Sequence, residues 1–389
     1  MNKKLSLGTL CKTFSGGTPS VKEKSYYING TIPFIRSGEI HGNKTQLFLT
    51  EKGVKHSSAK YITKGDLLIA LYGANSGDVA ISQIDGVINQ AILCIRSSKL
   101  NITYLKNLLL LEKDKILRKY LQGGQGNLSA EIIKSLKYNF PPIEEQKRIA
   151  EVLATWDEGI ENLEKLIALK EKQKRALMQR LLTGKTRLKG FSTPWKKVKL
   201  GDVCIPIKRS VGEKRVIPMS LSAGIGFVPQ AEKFGKDISG NQYKKYTLLS
   251  RGDFTYNKGN SKKYPQGCAY LLKEYNEVAV PNVFISFRLK RNIANNQFFE
   301  QFFFENYHGK HLRRVINSGV RNDGLLNLNT PAFYGITVLL PSINEQKAIS
   351  KIFTSMDEEI SLLKNKLEVF RKQKKYLMQQ LLTGKKRLA

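Results

Sequence analysis

The stretch Pro141-Pro-Ile-Glu-Glu-Gln-Lys147 returns as Pro341-Ser-Ile-Asn-Glu-Gln-Lys347, and the rest of this 389-residue sequence reads outward from that recurrence. Lys172-Gln-Lys174, Leu177-Met-Gln179 and Leu181-Leu-Thr-Gly-Lys185 come back at 372–374, 377–379 and 381–385. The offset is 200 throughout, with no gap from 141 to 188. A repeat of this length organises the whole chain. In the first copy Ile149, Leu153, Trp156, Ile160, Leu163, Ile167, Lys170, Lys174, Leu177 and Leu181 alternate spacings of four and three. Ile349, Phe353, Met356, Ile360, Leu363, Leu367, Phe370, Lys374, Leu377 and Leu381 do the same in the second. That is a heptad seam on a helix. Proline ahead of each start and Gly184 and Gly384 at the ends punctuate it. Glu144 to Leu182 makes roughly 58 Å of helix at 1.5 Å per residue, a rod that needs a partner along its length.

Charge indicates which partner. Residues 144–164 hold seven acids against two bases, and 165–188 eight bases against one acid. In the second copy 341–364 hold four acids against three bases, and 365–388 eight bases against one acid. Laid antiparallel, two such helices set acidic halves beside basic halves, whereas a parallel pair would stack the basic halves together. The order also complements each helix macrodipole. The pattern predicts an antiparallel intramolecular coiled coil; two amphipathic helices, each packed on its own domain, is the alternative.

The segments ahead of the rods are distantly alike. Leu7-Gly-Thr-Leu-Cys11 resembles Leu200-Gly-Asp-Val-Cys204, Lys64-Gly-Asp66 resembles Arg251-Gly-Asp253, and Asn127-Leu128 matches Asn327-Leu328. Apolar runs at Leu67–Leu71, Val79–Ile81, Ile92–Ile95, Val278–Val280 and Val283–Phe287, parted by Gly, Asn and Ser, read as strands. Helical patterns cover Ile102–Leu121 and Gln297–Val315. The expectation is an α+β chain: two mixed, strand-rich domains (1–140 and 189–340), each followed by a rod (141–188 and 341–389), in a pseudo-twofold repeat.

Sixty-five Lys and Arg against 32 Asp and Glu give a net charge of +33. A hydrophobic content of 41%, with 18 Phe and 16 Tyr, excludes a disordered basic tail. Charge of this size on folded domains points to a polyanion, nucleic acid first and an anionic membrane surface second. Cys11, Cys94, Cys204 and Cys268 lie too far apart in sequence for zinc-finger or CxxC spacing, and sparse cysteine suits a reducing cytoplasm. Leu5–Cys11 is too short and too broken for a signal core, and no apolar run approaches a membrane span.

Catalytic motifs do not survive inspection. Leu181-Leu-Thr-Gly-Lys-Thr186 imitates the end of a P-loop, but position 179 is Gln and the segment closes a helix. Asn139-Phe-Pro-Pro142 has the letters of an adenine methyltransferase tetrapeptide in the wrong order, with no Gly-rich loop for a methyl donor. Glu145-Gln-Lys147 and Glu345-Gln-Lys347 imitate a nuclease Glu-x-Lys without its upstream partners and read as helix starts. His308-Gly-Lys-His311 lacks a carboxylate or Cys at ligand spacing and reads as a surface pair, so no metal site and no catalytic residue is expected. The basic loops carry more. Ser15, Gly17 and Thr18; Arg36 and Ser37; Tyr72, Asn75 and Ser76; Lys258, Asn260, Ser261, Lys262, Lys263 and Tyr264; and Arg321 and Asn322 combine flexibility with donors, acceptors and rings suited to phosphates and base edges. Each such loop is also an ordinary solvated turn in the alternative reading.

A divergent domain, a rod headed by Pro-x-Ile-x-Glu-Gln-Lys and closed by Leu-Leu-Thr-Gly-Lys, then both again, resembles the DNA specificity subunit of type I restriction–modification enzymes over the whole chain. Gly16-Gly-Thr-Pro19 and Gly65-Asp-Leu-Leu68 look like that family's first target-recognition domain, while the second departs at Asp253-Phe-Thr-Tyr256. The resemblance implies a cytoplasmic, non-catalytic subunit that reads one half of a split, non-palindromic double-stranded DNA target with each domain. It implies two methyltransferase subunits and, through them, two restriction subunits as partners. S-adenosylmethionine, ATP and magnesium are then cofactors of those partners and not of this chain. An unrecognised catalytic DNA enzyme, or a scaffold on nucleic acid or membrane, are the other classes left open.

Overall fold

The computed structural model describes residues 4–120, 127–259, 264–313, 316, 326 and 328–388. The chain divides into two compact units, 1–165 with 364–389, and 166–363. Each unit therefore contains one globular segment, the head half of one rod and the tail half of the other.

In the first unit, one antiparallel sheet has the order Lys12–Ser15, Ile92–Arg96, Leu67–Ala70, Val79–Ile81. A second has the order Leu47–Leu49, Ile32–Ile35, Gly86–Ile88, Lys60–Ile62, its middle pair parallel. The continuous apolar run at Leu67–Ala70 is explained by burial on both faces. Leu67 and Ile69 pack with Leu93, Ile95, Leu105 and Leu109 under the helix Ile102–Tyr120, while Leu68 and Ala70 pack with Ile35, Ile62 and Ile88 of the other sheet.

The second unit repeats this frame with different residues. Its main sheet runs Cys204–Pro206, Ile285–Leu289, Asp253–Asn257, Cys268–Leu271, strand for strand the same order. The other sheet is reduced to the pairs Met219–Ser222 with Gly226–Pro229 and Thr247–Ser250 with Glu277–Val280, joined by a parallel bridge from Pro218 to Ala279. The core is aromatic, with Phe254, Phe287, Phe298, Phe303 and Phe333 fully buried.

Three sequence expectations change here. The strand expected at Val283–Phe287 starts later, at Ile285–Leu289, because a turn closed by Phe284 N–H to the Pro281 carbonyl occupies the residues before it. The helix expected over Gln297–Val315 is two, Asn296–Phe304 and Tyr307–Leu312, with Val315 outside the described residues. Asn306 between them adopts φ 54°, a left-handed conformation that no α-helix can pass and that Asn tolerates better than most residues. The break turns His308 inward. Far from lying on the surface, it is fully buried, edge-on to Tyr256 and Phe303.

The rods are the helices Ile143–Leu181 and Ile343–Leu381, 39 residues each. Gly184 and Gly384, both at φ 71°, end them, and the amides of Thr186 and Lys386 return to the carbonyls of Arg180 and Gln380 at 3.2 and 3.0 Å. With the Gly184 and Gly384 amides turned back to the Leu181 and Leu381 carbonyls at 3.4 and 3.3 Å, this closure is a helix C-cap and leaves no phosphate cradle in the Leu-Leu-Thr-Gly-Lys segment. Within each unit the rods run antiparallel, head against tail. In the first, Ile149 and Leu153 pack with Met378, Leu381 and Leu382, and Trp156 meets Phe370 edge-on at 5.3 Å. In the second, Ile349 and Phe353 share a core with Met178, Leu181 and Leu182.

Along the seam, Ile149, Leu153, Leu163, Ile167, Leu181, Ile349, Phe353, Ile360, Leu367 and Leu381 are buried. Trp156, Ile160, Leu177, Met356, Leu363, Phe370 and Leu377 are half-buried. Met178, Leu182, Met378 and Leu382, next to the seam positions, are also buried where the rod tails widen into the domain cores. Among the described residues no helix is long and apolar enough to cross a membrane.

Candidate nucleic-acid interface

The rod heads are built to hold the globular segments. Gln146 Nε2 donates to the Pro141 carbonyl at 2.9 Å, and its Oε1 accepts the Asn101 N–H at 3.0 Å. Gln346 does the same with Pro341 and Asn295, at 2.9 Å each, and also reaches the Ile293 carbonyl. Asn101 and Asn295 accept from the amides of Tyr104 and Phe298 as N-caps of the helices that follow. A buried amide satisfied on both sides explains the Gln of Pro-x-Ile-x-Glu-Gln-Lys. It fixes the start of a rod against the start of a domain helix.

The Gly-Asp pairs are a second shared device. Asp66 accepts from Arg96 Nε at 2.7 Å and from the Thr63 amide at 2.8 Å. Asp253 accepts from Arg288 Nε at 2.6 Å and from the Ser250 amide at 2.7 Å. Each carboxylate joins the turn before a central strand to the strand beside it. Burial pushes the Asp66 carboxyl up, but the hydrogen bonds from Arg96 and Thr63 outweigh it and hold the group below the usual carboxylate range. These are structural ion pairs.

The candidate contact residues of the first unit gather at one end of the paired sheets. Ser15 ends its strand opposite Leu93, Arg36 follows Ile35 where that strand lies parallel to Ile88, and Tyr72 follows the strand that pairs with Ile92. Gly16 and Gly17 are packing residues: a Cβ at Gly16 would overlap the Ile88 carbonyl, and one at Gly17 would stand 2.6 Å from Ser58 Cβ. Thr18 Oγ1 donates to Gln90 at 2.8 Å. Arg36 reaches Glu39 and Gln46 Oε1, at 3.0 Å to the latter, and stays about half exposed beside Ser37. Ser76 is buried, donating to the Leu71 carbonyl at 3.0 Å, so it shapes its loop. Tyr72 is exposed and Asn75 half-buried on the same turn, which lies against the 36–39 loop where a Gly38 Cβ would be 3.4 Å from Asn75 Nδ2.

In the second unit Lys258 and Tyr264 sit on the connection between Asp253–Asn257 and Cys268–Leu271, the same connection of the same sheet as Tyr72–Ser76. Both connections are anchored alike: Leu71 O accepts from the Leu128 amide, and Lys258 O from the Leu326 amide, at 2.9 Å each. Lys258 is half-buried and Tyr264 buried. Asn260, Ser261, Lys262, Lys263, Arg321 and Asn322 lie outside the described residues. Charge follows the globular segments: 1–140 hold 20 Lys and Arg against nine acids and 189–340 hold 24 against ten, while the rods are nearer balance. Among the described residues no cluster of His, Cys, Asp or Glu could hold a metal.

Residues 2–171 and 193–370 match the family described as type I restriction modification DNA specificity domain. The chain belongs to this family. It is 24% identical over 420 residues to the type I restriction enzyme MjaVIII specificity subunit of Methanocaldococcus jannaschii, covering 98% of this chain and 92% of that protein. Its fold is similar to the type I restriction–modification S subunit from M. genitalium, with a TM-score of 0.55 and 16% identity over 97% of this chain and 95% of the other. A chain from a structure concerned with complex assembly and conformational transition of the type I system matches with a TM-score of 0.61 and 14% identity, covering 98% and 97%. In this specificity-domain family the repeat of rod and domain acquires its meaning: one globular segment per family match, each tied to its own rod head.

Proposed function

We propose that this chain is the sequence-reading subunit of a type I restriction–modification complex and carries no catalytic centre itself. Each globular segment reads one half of a split, non-palindromic duplex target, and the rods hold the halves at a fixed spacing. The observation that carries this reading is the recurrence of one frame in two diverged sequences. The same sheet connection presents Tyr72 and Asn75 in one unit and Lys258 in the other, and the same glutamine fastens each segment to a rod. A frame kept while its contact residues differ suits two recognition sites of different specificity.

The exposed faces of the rods are then the docking surface for two methyltransferase subunits, through which two restriction subunits join. S-adenosylmethionine, ATP and magnesium belong to those partners. The four cysteines, all free, suit a cytoplasmic setting. The test is selection of a random duplex library by the assembled methyltransferase complex, with Asn75→Ala and Lys258→Ala variants alongside. Two unlike half-sites at a constant gap are expected, with Asn75→Ala relaxing one half and Lys258→Ala the other. Enrichment of no sequence, with binding that depends only on salt, would overturn the proposal.

A further inference from the structure

The connection that presents Tyr72 and Asn75 closes on itself and is then held from outside. The Gly77 amide returns to the Ala70 carbonyl and the Asp78 amide to that of Asn75, at 2.8 and 2.9 Å, with Gly73 and Gly77 left-handed at φ 76° and 79°. The outside hold comes from the domain helix Ile102–Tyr120. Lys113 Nζ donates to the Asp78 carboxylate, which His41 approaches to 4.0 Å. The stem of Lys113 and the side chain of Leu117, one turn on, lie 3.3 and 3.2 Å from where a Gly77 Cβ would stand. Two turns before Lys113, on the same helix face, Lys106 reaches to within 3.7 Å of Asp157 on the rod, and the helix start is fastened to Gln146 through Asn101. One helix therefore meets the rod head at its beginning and the contact connection roughly 18 Å further on, at 1.5 Å per residue.

The second unit reaches the same connection by different chemistry. Asn306 Nδ2 donates to Gln266 Oε1 at 3.1 Å, and Tyr256 Oη donates to the Gln266 carbonyl at 2.6 Å. The Gly267 amide turns back to the Tyr264 carbonyl at 3.1 Å. A Cβ at Gly267 would stand 2.4 Å from the Asn257 carbonyl oxygen, and one at Gly309 2.2 Å from Asn306 Oδ1, so the close fit requires both glycines. The helix start is again fastened, here by Gln346 to Asn295. The left-handed break at Asn306 thus does more than end a helix: it aims an amide at the downstream end of the connection.

We propose that Lys113 and Asn306 are positioning residues for base reading, each fixing the contact connection of its own domain to a helical segment whose start is tied to a rod. The inference rests on each domain reading one half-site. Neither side chain has to touch DNA. A connection tied at its far end presents Tyr72 and Asn75, or Lys258, in one arrangement, so a wrong base meets unpaired groups instead of a loop that adapts to it.

The assembled methyltransferase complex first selects its target from a random duplex library, and duplexes with one substituted base pair in either half then compete with the selected one. Lys113→Met keeps the stem beside Gly77 and removes the ammonium, while Asn306→Gly keeps the left-handed conformation and removes the amide. Lys113→Met is expected to lower discrimination about tenfold in one half alone and Asn306→Gly in the other, the scale of one lost base contact. Salt-dependent binding to unrelated duplex and the melting temperature should stay near those of the native chain, and Lys113→Arg, which still meets Asp78, should restore the first half. Discrimination unchanged in Lys113→Met and Asn306→Gly, or falling in both halves together, would overturn the positioning while the selected half-sites stand. Selection of no half-sites by the native complex would overturn the reading beneath it, and the positioning with it.

Discussion

Lys174 donates to Asp357 at 2.6 Å, and its repeat counterpart Lys374 bonds Asp157, so one lysine–aspartate pair recurs in the seam of each unit. Both lysines are mostly buried, with side chains 12% and 13% exposed, while both aspartates keep solvent contact. Each pair joins the tail of one rod to the head of the other, which only an antiparallel arrangement allows. Asp357→Lys would face two ammonium groups across the seam and is expected to cost about 1–2 kcal/mol, between exposed and buried ion pairs. Adding Lys174→Asp should recover at least half of that loss in urea unfolding. No recovery would mean the pair does not set the alignment.

The seam itself is tested by Ile360→Lys with Leu363→Lys. Ile360 is buried and Leu363 half-buried, so two charges there oppose rod pairing directly. Assembly with the methyltransferase subunits should be lost while circular dichroism and near-ultraviolet signals of the globular segments persist. Retained assembly would count against the seam as drawn.

Gln346 is fully buried with its donor and acceptor both used. Gln346→Ala leaves the Asn295 amide and the Pro341 carbonyl without it and should cost about 1–3 kcal/mol. Hydrogen exchange localises the effect: the Asn295 amide should lose protection, while strand amides of Asp253–Asn257 keep it. Uniform loss throughout the unit would indicate simple destabilisation.

The rods were legible because a heptad with segregated charge is a one-dimensional pattern, and Gly184 and Gly384 mark its ends whatever the tertiary context. The tie made by Gln146 and Gln346 was not. Its partners, Asn101 and Asn295, stand 45 and 51 residues away, and an amide in a helical first turn reads as solvated. The Gly-Asp pairs were visible as repeats, but their meaning needed Arg96 and Arg288 on neighbouring strands. In the 297–315 stretch the apolar pattern ran on past Asn306, because a left-handed residue leaves hydrophobic periodicity almost intact; the buried place of His308 followed from that break. Glycines 16 and 17 suggested a flexible contact loop, whereas the folded chain needs them for close backbone approach.

His308 makes stability pH-dependent. Burial holds its ring neutral with a pKa of about 4, against about 6.5 for a solvated imidazole. The unfolded chain therefore takes up this proton first as the pH falls. The stabilisation is complete above about pH 6.5 and is lost progressively toward pH 4, by about 3 kcal/mol in all. Asp66, with its depressed carboxyl, adds to the loss only below about pH 4. Urea midpoints from pH 7 to 4 should fall in the native chain and flatten in His308→Phe. An equal slope in both would remove His308 as the cause.

Whether two domains read two halves of one DNA target is tested most directly by methylome sequencing. A host expressing this chain with its methyltransferase subunit should be compared with one expressing the methyltransferase alone. A new methyl-adenine motif of two unlike halves around a constant gap is expected, with one half alone changing when residues 189–340 are exchanged for those of another family member. A single undivided motif, or a change in both halves on that exchange, would contradict it.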